Sequence, residues 1–199
     1  MSEFINTIEI LEDEEILNQL ITRSIKEFKD NILTLIGNGT FNYCYDLTIL
    51  DMPNVRRVGS YAFSNCANLS VINIPKVDYI GSNAFYMAKI SYINLPNIET
   101  IAANAFNECV NLEKIDINAA DSVGQYAFTK TKISTVIIRG EDKVCNLRTA
   151  NVFADTPLDR GEGYIYVPAS MIDSYKATTN WSKFANQFRA IEDYPDICG

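Results

Sequence analysis

A phenylalanine recurs through the middle of the chain at an almost constant spacing, and each copy follows a small residue. Successive copies are 22, 22, 21 and 22 residues apart. The residues concerned are Phe41, Phe63, Phe85, Phe106 and Phe128. A unit of this length is too short to bury its own apolar side chains, so neighbouring units must stack and cover one another. The repeat therefore predicts a solenoid, in which successive turns share one hydrophobic interior.

The clearest copy of the unit, GSYAFSNCANLSVINIP, shows how one turn is built. Leu69, Ile72 and Ile74 surround the polar Asn73 in a pattern typical of a short strand with one buried face. A proline follows the strand in three units, and it ends the pairing because it has no N–H to donate. These prolines are Pro53, Pro75 and Pro96. We expect the strands to stack in parallel as one long sheet, with the phenylalanines filling the interior from the opposite wall.

Glycines recur at another phase of the unit, directly after an apolar residue. They are Gly37, Gly59, Gly81 and Gly124. Glycine at a fixed phase predicts either a turn with positive φ or a close approach of two backbone segments. Ala102 takes this place in the fourth unit. Because alanine rarely adopts positive φ, this favours the close approach over the turn.

Three of the five cysteines share one phase, three residues after the phenylalanine. They are Cys44, Cys66 and Cys109. A thiolate metal site needs ligands that converge on one point, whereas these residues belong to different turns. We interpret them as small hydrophobic core residues rather than metal ligands or disulfide partners. Cys145 and Cys198 lie outside the repeat frame, and the sequence assigns them no role.

The repeats leave a segment at each end of the chain. We expect residues 1–31 to form an N-terminal cap, with a helix around residues 9–21 and an incomplete strand at residues 24–28. Residues 32–168 hold the repeats, and the last repeat is irregular. Residues 169–199 are predicted to form a C-terminal cap of two short helices, broken at Thr178 to Asn180, and a tail.

The single tryptophan, Trp181, lies in this C-terminal cap. Phe184 and Phe188 follow it at spacings that are typical of a helix. We interpret Trp181 as the plug of the last turn rather than as a residue that stacks on a ligand, because a large aromatic side chain can cover an open hydrophobic end.

Composition and charge argue against several functions. The formal net charge of −8 opposes binding to nucleic acid or to an anionic membrane surface. The chain contains no histidine, so catalysis that depends on histidine is excluded. No segment approaches the ~20 apolar residues of a membrane-spanning helix, and the N-terminus resembles no secretory signal. We expect no enzymatic activity, no cofactor and no bound metal.

The frame GSYAFSNCANLSVINIP resembles the BspA-like, or Treponema-type, leucine-rich repeat family, and YIYVPASMIDSYKATTNWSKFANQF is similar to the segment that often ends such arrays. The resemblance implies an α/β solenoid. It would be a right-handed coil of about five to six repeats of 21–22 residues, with a parallel β-sheet on its concave side and helical caps at both ends. Members of the family look like adhesion or recognition proteins of bacterial surfaces, and short versions occur in bacteriophages and prophages of gut bacteria.

Because the sequence shows neither a signal peptide nor an anchoring domain, we favour a virion protein made in the host cytoplasm. It would be a tail, baseplate or head-surface component that binds another virion protein, a host-surface protein or a glycan. The alternative is a bacterial cell-surface adhesin or an exported host-interaction protein. A homo-oligomer is compatible with both roles.

The outward positions of the stacked strands form columns, and these are the expected ligand-binding residues. One column is Asp51, Asn73, Asn94 and Asp116, and another is Ile49, Val71, Tyr92 and Lys114. Asparagine and aspartate columns can also hydrogen-bond from turn to turn, so a structural role stands beside the ligand-binding one. Calcium would need several carboxylates around one ion, whereas acids lie only at the two ends of the first column.

Overall fold

The computed structural model describes residues 26–198, so the helix predicted around residues 9–21 lies outside the described residues. The strands, in chain order, are β1 (Glu27–Lys29), β2 (Leu35–Ile36), β3 (Ile49–Asp51), β4 (Arg57–Val58), β5 (Val71–Asn73), β6 (Tyr79–Ile80), β7 (Tyr92–Leu95), β8 (Thr100–Ile101), β9 (Lys114–Ile117), β10 (Ser122–Val123), β11 (Thr135–Ile138), β12 (Tyr164–Val167) and β13 (Phe188–Ala190). The helices are α1 (Ile172–Ala177) and α2 (Pro195–Cys198), with 3₁₀ turns at Ala169–Met171, Ser182–Phe184 and Ile191–Asp193.

Each regular turn contributes one strand to each of two walls, and the strands within each wall run parallel. The first wall contains the sheets β1-β3-β5 and β7-β9-β11-β12-β13, and the second contains the sheet β2-β4-β6-β8-β10. The predicted parallel solenoid is thus confirmed. The second wall was not predicted, because its strands have two residues each and are too short to show an alternating pattern.

The first wall is interrupted between β5 and β7, where one continuous sheet was expected. The interruption coincides with the shorter repeat spacing, since residues 88–90 make the connection that residues 66–69 make one turn earlier. A one-residue deletion just before a strand shifts that strand relative to its neighbour. The second wall is continuous at this point, because Tyr79 and Ile80 pair with Thr100 and Ile101.

The predicted phenylalanine column forms the centre of the interior. Neighbouring rings from Phe41 to Phe153 are nearly parallel, with centroids 5.1 to 5.5 Å apart. Phe63, Phe85, Phe106 and Phe128 are fully buried. Each turn therefore covers the aromatic ring of the next, which explains why one repeat alone has no core.

The phase occupied by glycine is a site of close approach, which confirms the second of the two alternatives. A Cβ atom added to Gly81 would lie 2.5 Å from the backbone nitrogen of Ser60, one turn away. The same addition at Gly59 or Gly124 would meet backbone of the preceding turn at 2.6 or 2.4 Å. Positive φ occurs two residues later instead, at Gly39, Tyr61, Asn83, Asn104 and Tyr126.

The cysteine ladder lies in the core, as predicted. The thiol of Cys66 donates to the carbonyl oxygen of Phe41 at 3.0 Å, and that of Cys109 donates to Phe85 at 3.0 Å. All three ladder cysteines are free and buried. Burial raises the pKa of the Cys44 thiol to about 11, and it raises the pKa of Cys66 and Cys109 as well.

At the N-terminal end, β1 pairs in parallel with β3. It begins at Glu27 and so overlaps the last two residues of the strand expected at residues 24–28, whose first two residues lie outside the described part of the chain. Phe28 extends the aromatic column there, with its ring centroid 4.8 Å from that of Phe41. The irregular last repeat is present too, because β12 continues the first wall beside β11.

Trp181 closes the other end, as predicted. Its side chain is 1% exposed and packs against Phe153. The prediction that Phe188 lies on a helix is wrong, since Phe188 begins β13, which pairs with β12. The edge of β12 offers unpaired N–H and C=O groups, and hydrogen bonds to them stabilise a strand here more than local helix formation stabilises so short a segment.

Candidate recognition face

The side chains of the first wall that point away from the core form a surface that we call the outer face. In β3 and β5, Ile49 lies beside Val71 and Asp51 beside Asn73. In β7 and β9, Tyr92 lies beside Lys114 and Asn94 beside Asp116. The residues between them in each strand point inward, because side chains alternate along a strand. Each expected column is therefore present as two neighbouring pairs, one on β3 and β5 and one on β7 and β9, and the interruption of the first wall between β5 and β7 separates the two pairs.

Part of the polar column is engaged within the fold. The side-chain amide of Asn73 donates to the carboxylate of Asp51 at 2.7 Å, so this pair links two turns as a structural role requires. Asn94 is exposed on β7. Asp116 has a different environment, because its side chain is buried beneath other residues of the chain.

Asp116 and Arg139 form a two-point ion pair on the outer face. The guanidinium of Arg139 donates to both carboxylate oxygens of Asp116, at 2.8 and 2.7 Å. This geometry fixes the plane of the guanidinium group. The hydrogen bond to Asp116 raises the pKa of Arg139 above its usual value.

The other column is apolar and open along β5 and β7. Val71 is 52% exposed and Tyr92 is 44% exposed. The ammonium group of Lys114 lies 5.6 Å from the centroid of the Tyr92 ring. Burial and the nearby Asp116 carboxylate raise the pKa of the Tyr92 hydroxyl, so it stays protonated and can donate a hydrogen bond.

The repeat signature itself identifies the family. A family model described as the BspA type leucine rich repeat region matches residues 34–157 in six copies, which is more than half of the chain. The chain belongs to this BspA-type family. No curated protein matches it.

Solved structures resemble this BspA-type chain at low sequence identity. The pneumococcal vaccine antigen PcpA is 13% identical over 83% of this chain and 40% of its own, with a TM-score of 0.56. A leucine-rich repeat protein from Bacteroides ovatus is 18% identical over 73% of this chain and 56% of its own, with a TM-score of 0.42. A leucine rich cell surface protein from Faecalibacterium prausnitzii is 14% identical over 80% of this chain and 63% of its own, with a TM-score of 0.35. The chain thus spans less than two thirds of each, and the likeness to PcpA shows a shared fold.

The C-terminal end of the BspA-type chain covers part of the outer face, which the sequence did not predict. Ile137 and Tyr166 point outward from β11 and β12, yet they are 0% and 4% exposed. They form a small apolar cluster with Cys198, against which Ile191 and Tyr194 pack. The sequence did contain an indication of this cover, because exposed apolar side chains at two neighbouring outward positions would be unfavourable.

A second surface contains exposed aromatic side chains that sequence reasoning also missed. Tyr43, Tyr61 and Tyr126 lie on the turns that carry the phenylalanines, and they are 51%, 51% and 39% exposed. All three have φ between 57° and 61°, a conformation that costs energy for a bulky residue. Tyr45 adds a ring 6.0 Å from that of Tyr43. The signal for this surface was tyrosine at Tyr61 and Tyr126, where other turns have Gly39, Asn83 or Asn104; Tyr43 lies at a different phase of the unit.

In residues 26–198, no group of three or more Cys, Asp and Glu side chains has the arrangement of a metal site. Within the same residues, no helix is both long and apolar enough to cross a bilayer.

Proposed function

We propose that this BspA-type protein is a non-enzymatic recognition module that binds a protein or a host-surface glycan through its outer face. The supporting observation is that Val71 and Tyr92 are exposed and Ile49 is half-buried on the outer face, beside the exposed polar side chains of Asn73 and Asn94. A patch with an apolar centre and polar neighbours is typical of binding surfaces. The solenoid holds this patch on paired strands, so little order has to be gained on binding.

The state of the cysteines supports a non-enzymatic role. Burial raises the pKa of the thiols at Cys44, Cys66, Cys109, Cys145 and Cys198 above the ordinary value. Thiolates, not thiols, act as nucleophiles, so these groups are held in their unreactive form.

The binding site can be tested with Tyr92→Ala combined with Asn94→Ala. We expect the labelled double variant to bind cells of the host strain about tenfold more weakly than the original protein, because an exposed tyrosine is a frequent anchor of an interface. Both side chains are exposed, so the melting temperature should stay nearly unchanged. The matched control is Tyr45→Ala, which removes a tyrosine that is 56% exposed on the other surface.

Unchanged binding by the double variant would reject the outer face as the site. If Tyr45→Ala weakened binding instead, the tyrosine surface on the phenylalanine turns would be the recognition site.

We also propose that the module belongs to a bacteriophage particle, as a tail, baseplate or head-surface component. The resemblance to short phage members of the BspA-type family supports this setting. Peptide mass spectrometry of purified particles tests it, and the chain should be found at a fixed ratio to the tail or capsid protein. Its absence from virions would reject the phage setting.

A bacterial cell-surface adhesin is the second candidate. The fold shared with a protein named as a pneumococcal vaccine antigen supports it. Recovery of the chain from the cell-wall fraction of cells that produce no phage particles would favour this candidate, as would a neighbouring sortase or secretion gene.

A further inference from the structure

Residues 191–198 leave the end of β13, turn back and lie on the outer face of β9, β11 and β12. They form the 3₁₀ turn Ile191–Asp193 and the helix α2. Their apolar side chains join a cluster that is separate from the main core. The ring of Tyr194 packs edge-on against that of Tyr166, with centroids 5.2 Å apart. This segment therefore binds a formed surface rather than completing the solenoid interior.

Two cations bind the backbone at the end of this segment. The ammonium group of Lys114 donates to the carbonyl oxygen of Ile197 at 2.7 Å. The guanidinium of Arg139 donates to the carbonyl oxygen of Cys198 at 2.6 Å. Asp116 holds that guanidinium in place through the two-point pair described above. Asp116 is thus a positioning residue for Arg139.

The charges of the segment and of the surface are complementary. Glu192, Asp193 and Asp196 make the segment acidic, and it contains no basic residue. The surface contributes Lys114 and Arg139 and one carboxylate, Asp116, which is paired with Arg139, so its cations outnumber its carboxylates by one. Acidic segments are attracted to such a surface, and the attraction steers encounter as well as binding.

The segment buries little apolar surface, and besides the cation contacts its Glu192 carboxylate accepts a hydrogen bond from the Ala169 N–H at 3.2 Å. Glu192, Asp193, Pro195, Asp196 and Ile197 are exposed. Only three residues of the cluster, Ile137, Tyr166 and Cys198, are buried. Segments with so little buried apolar surface open at a lower free energy than the core of a fold.

We propose that the outer face of β9, β11 and β12 is a docking site for an acidic peptide segment with an aromatic anchor. Residues 191–198 occupy this site in the unbound protein, and a partner that presents a segment of the same chemistry displaces them. Tyr166 and Ile137 receive the aromatic and aliphatic side chains, and Lys114 and Arg139 bind the carbonyl oxygens. The site lies on a different part of the outer face from Ile49, Val71 and Tyr92, whose exposure supports the proposed function, so either proposal can fail alone.

The test uses the full-length protein and a fluorescent peptide with the sequence of residues 191–198, in which Cys198 is replaced by serine. A Tyr194→Ala substitution in the protein weakens the internal competitor without altering the surface beneath it. We expect the peptide to bind this variant about tenfold more tightly than the original protein, measured by fluorescence anisotropy. Equal affinity for both proteins would overturn the proposal.

A second substitution tests the cation contact. Adding Lys114→Gln to the Tyr194→Ala protein should weaken peptide binding about tenfold, since it removes one charged donor and leaves the Asp116–Arg139 pair intact. Lys176→Gln is the matched control, because Lys176 is exposed in the last turn of α1. Equal effects of the two lysine substitutions would overturn the proposed contact.

Cys198 provides an independent readout in the unmodified chain. Cys198 is 2% exposed, because the segment holds it against Ile137 and Tyr166, whereas Cys44, Cys66, Cys109 and Cys145 lie in the main core. Excess peptide should raise the iodoacetamide labelling rate of Cys198 severalfold and leave the other four rates unchanged. If the peptide left the labelling rate of Cys198 unchanged, residues 191–198 would be a fixed structural cap, and the proposal would be overturned. Conversion of the Tyr194→Ala protein to a dimer on size-exclusion chromatography would overturn the partner assignment, since a second copy would then be the occupant.

Discussion

Single atoms set the distance between turns at the glycine phase. The Cβ atom of an alanine at position 81 would lie 2.5 Å from the Ser60 nitrogen, whereas at position 37 the nearest atom is the Thr40 hydroxyl oxygen at 3.2 Å. We predict that Gly81→Ala lowers the free energy of unfolding by about 1–3 kcal/mol, because backbone atoms of two turns must move apart. Gly37→Ala should lower the free energy of unfolding much less, because the nearest atom there belongs to a side chain. Urea unfolding of both variants measures this, and equal losses would contradict the close approach.

The buried thiols predict a particular pH dependence of stability. Burial raises the pKa of Cys145 from 9.0 to about 12. A thiol whose pKa is higher in the folded than in the unfolded chain stabilises the fold fully below pH 9, and this contribution is lost as the pH rises from 9 towards 12. Cys145→Ala should therefore lessen the decline in the free energy of unfolding over that range. The same decline in both proteins, measured by urea unfolding at several pH values, would contradict a raised pKa of Cys145 in the folded chain.

The C-terminal cap depends on a polar connection to the loop that contains Cys145. The Cys145 backbone N–H donates to the hydroxyl oxygen of Tyr175 at 3.0 Å, and the Trp181 indole N–H donates to the Cys145 carbonyl at 2.6 Å. Tyr175→Phe would leave a buried N–H without its acceptor, and we predict a loss of about 1–3 kcal/mol.

Tyr164→Phe is the matched control for this element, since Tyr164 is 46% exposed on the outer face. It should change the free energy of unfolding by only a few tenths of a kcal/mol. Similar melting temperatures for the two variants, measured by calorimetry, would mean that the Tyr175 hydroxyl does not connect the cap to the loop.

Among the secondary-structure elements, the strands that recur in each repeat were predicted from the sequence, whereas a strand that occurs only once, β13, was not. The strands before Pro53 and Pro75 are repeated, so their pattern is visible several times. Phe188 has no repeat partner, and its strand exists because the edge of β12 was free to pair. The two-residue strands of the second wall carry too little alternation to be recognised, although their pairing follows from the same stacking.

For the whole molecule, the repeat period was enough to predict the solenoid and the neighbouring pairs of residues on the outer face, but not the interruption between β5 and β7 that divides each column. A fixed period places equivalent residues side by side wherever the turns are equal, as Asp51 and Asn73 show. The cover over Lys114 and Asp116 was not predictable in this way. The contact between Lys114 and Ile197 joins residues 83 positions apart, and Ile197 lies outside the repeats.

The shared interior is tested most directly by a truncation in the middle of the stack that is observed from its end. Phe85 is fully buried between Phe63 and Phe106, and Trp181, the single tryptophan, closes the far end of the column. For Phe85→Ala we predict one cooperative urea transition that is destabilised by ~3–5 kcal/mol, with the same value from Trp181 fluorescence and from far-UV circular dichroism. A Trp181 transition that stays at its original midpoint would show that the turns fold as separate units, and it would contradict a single interior.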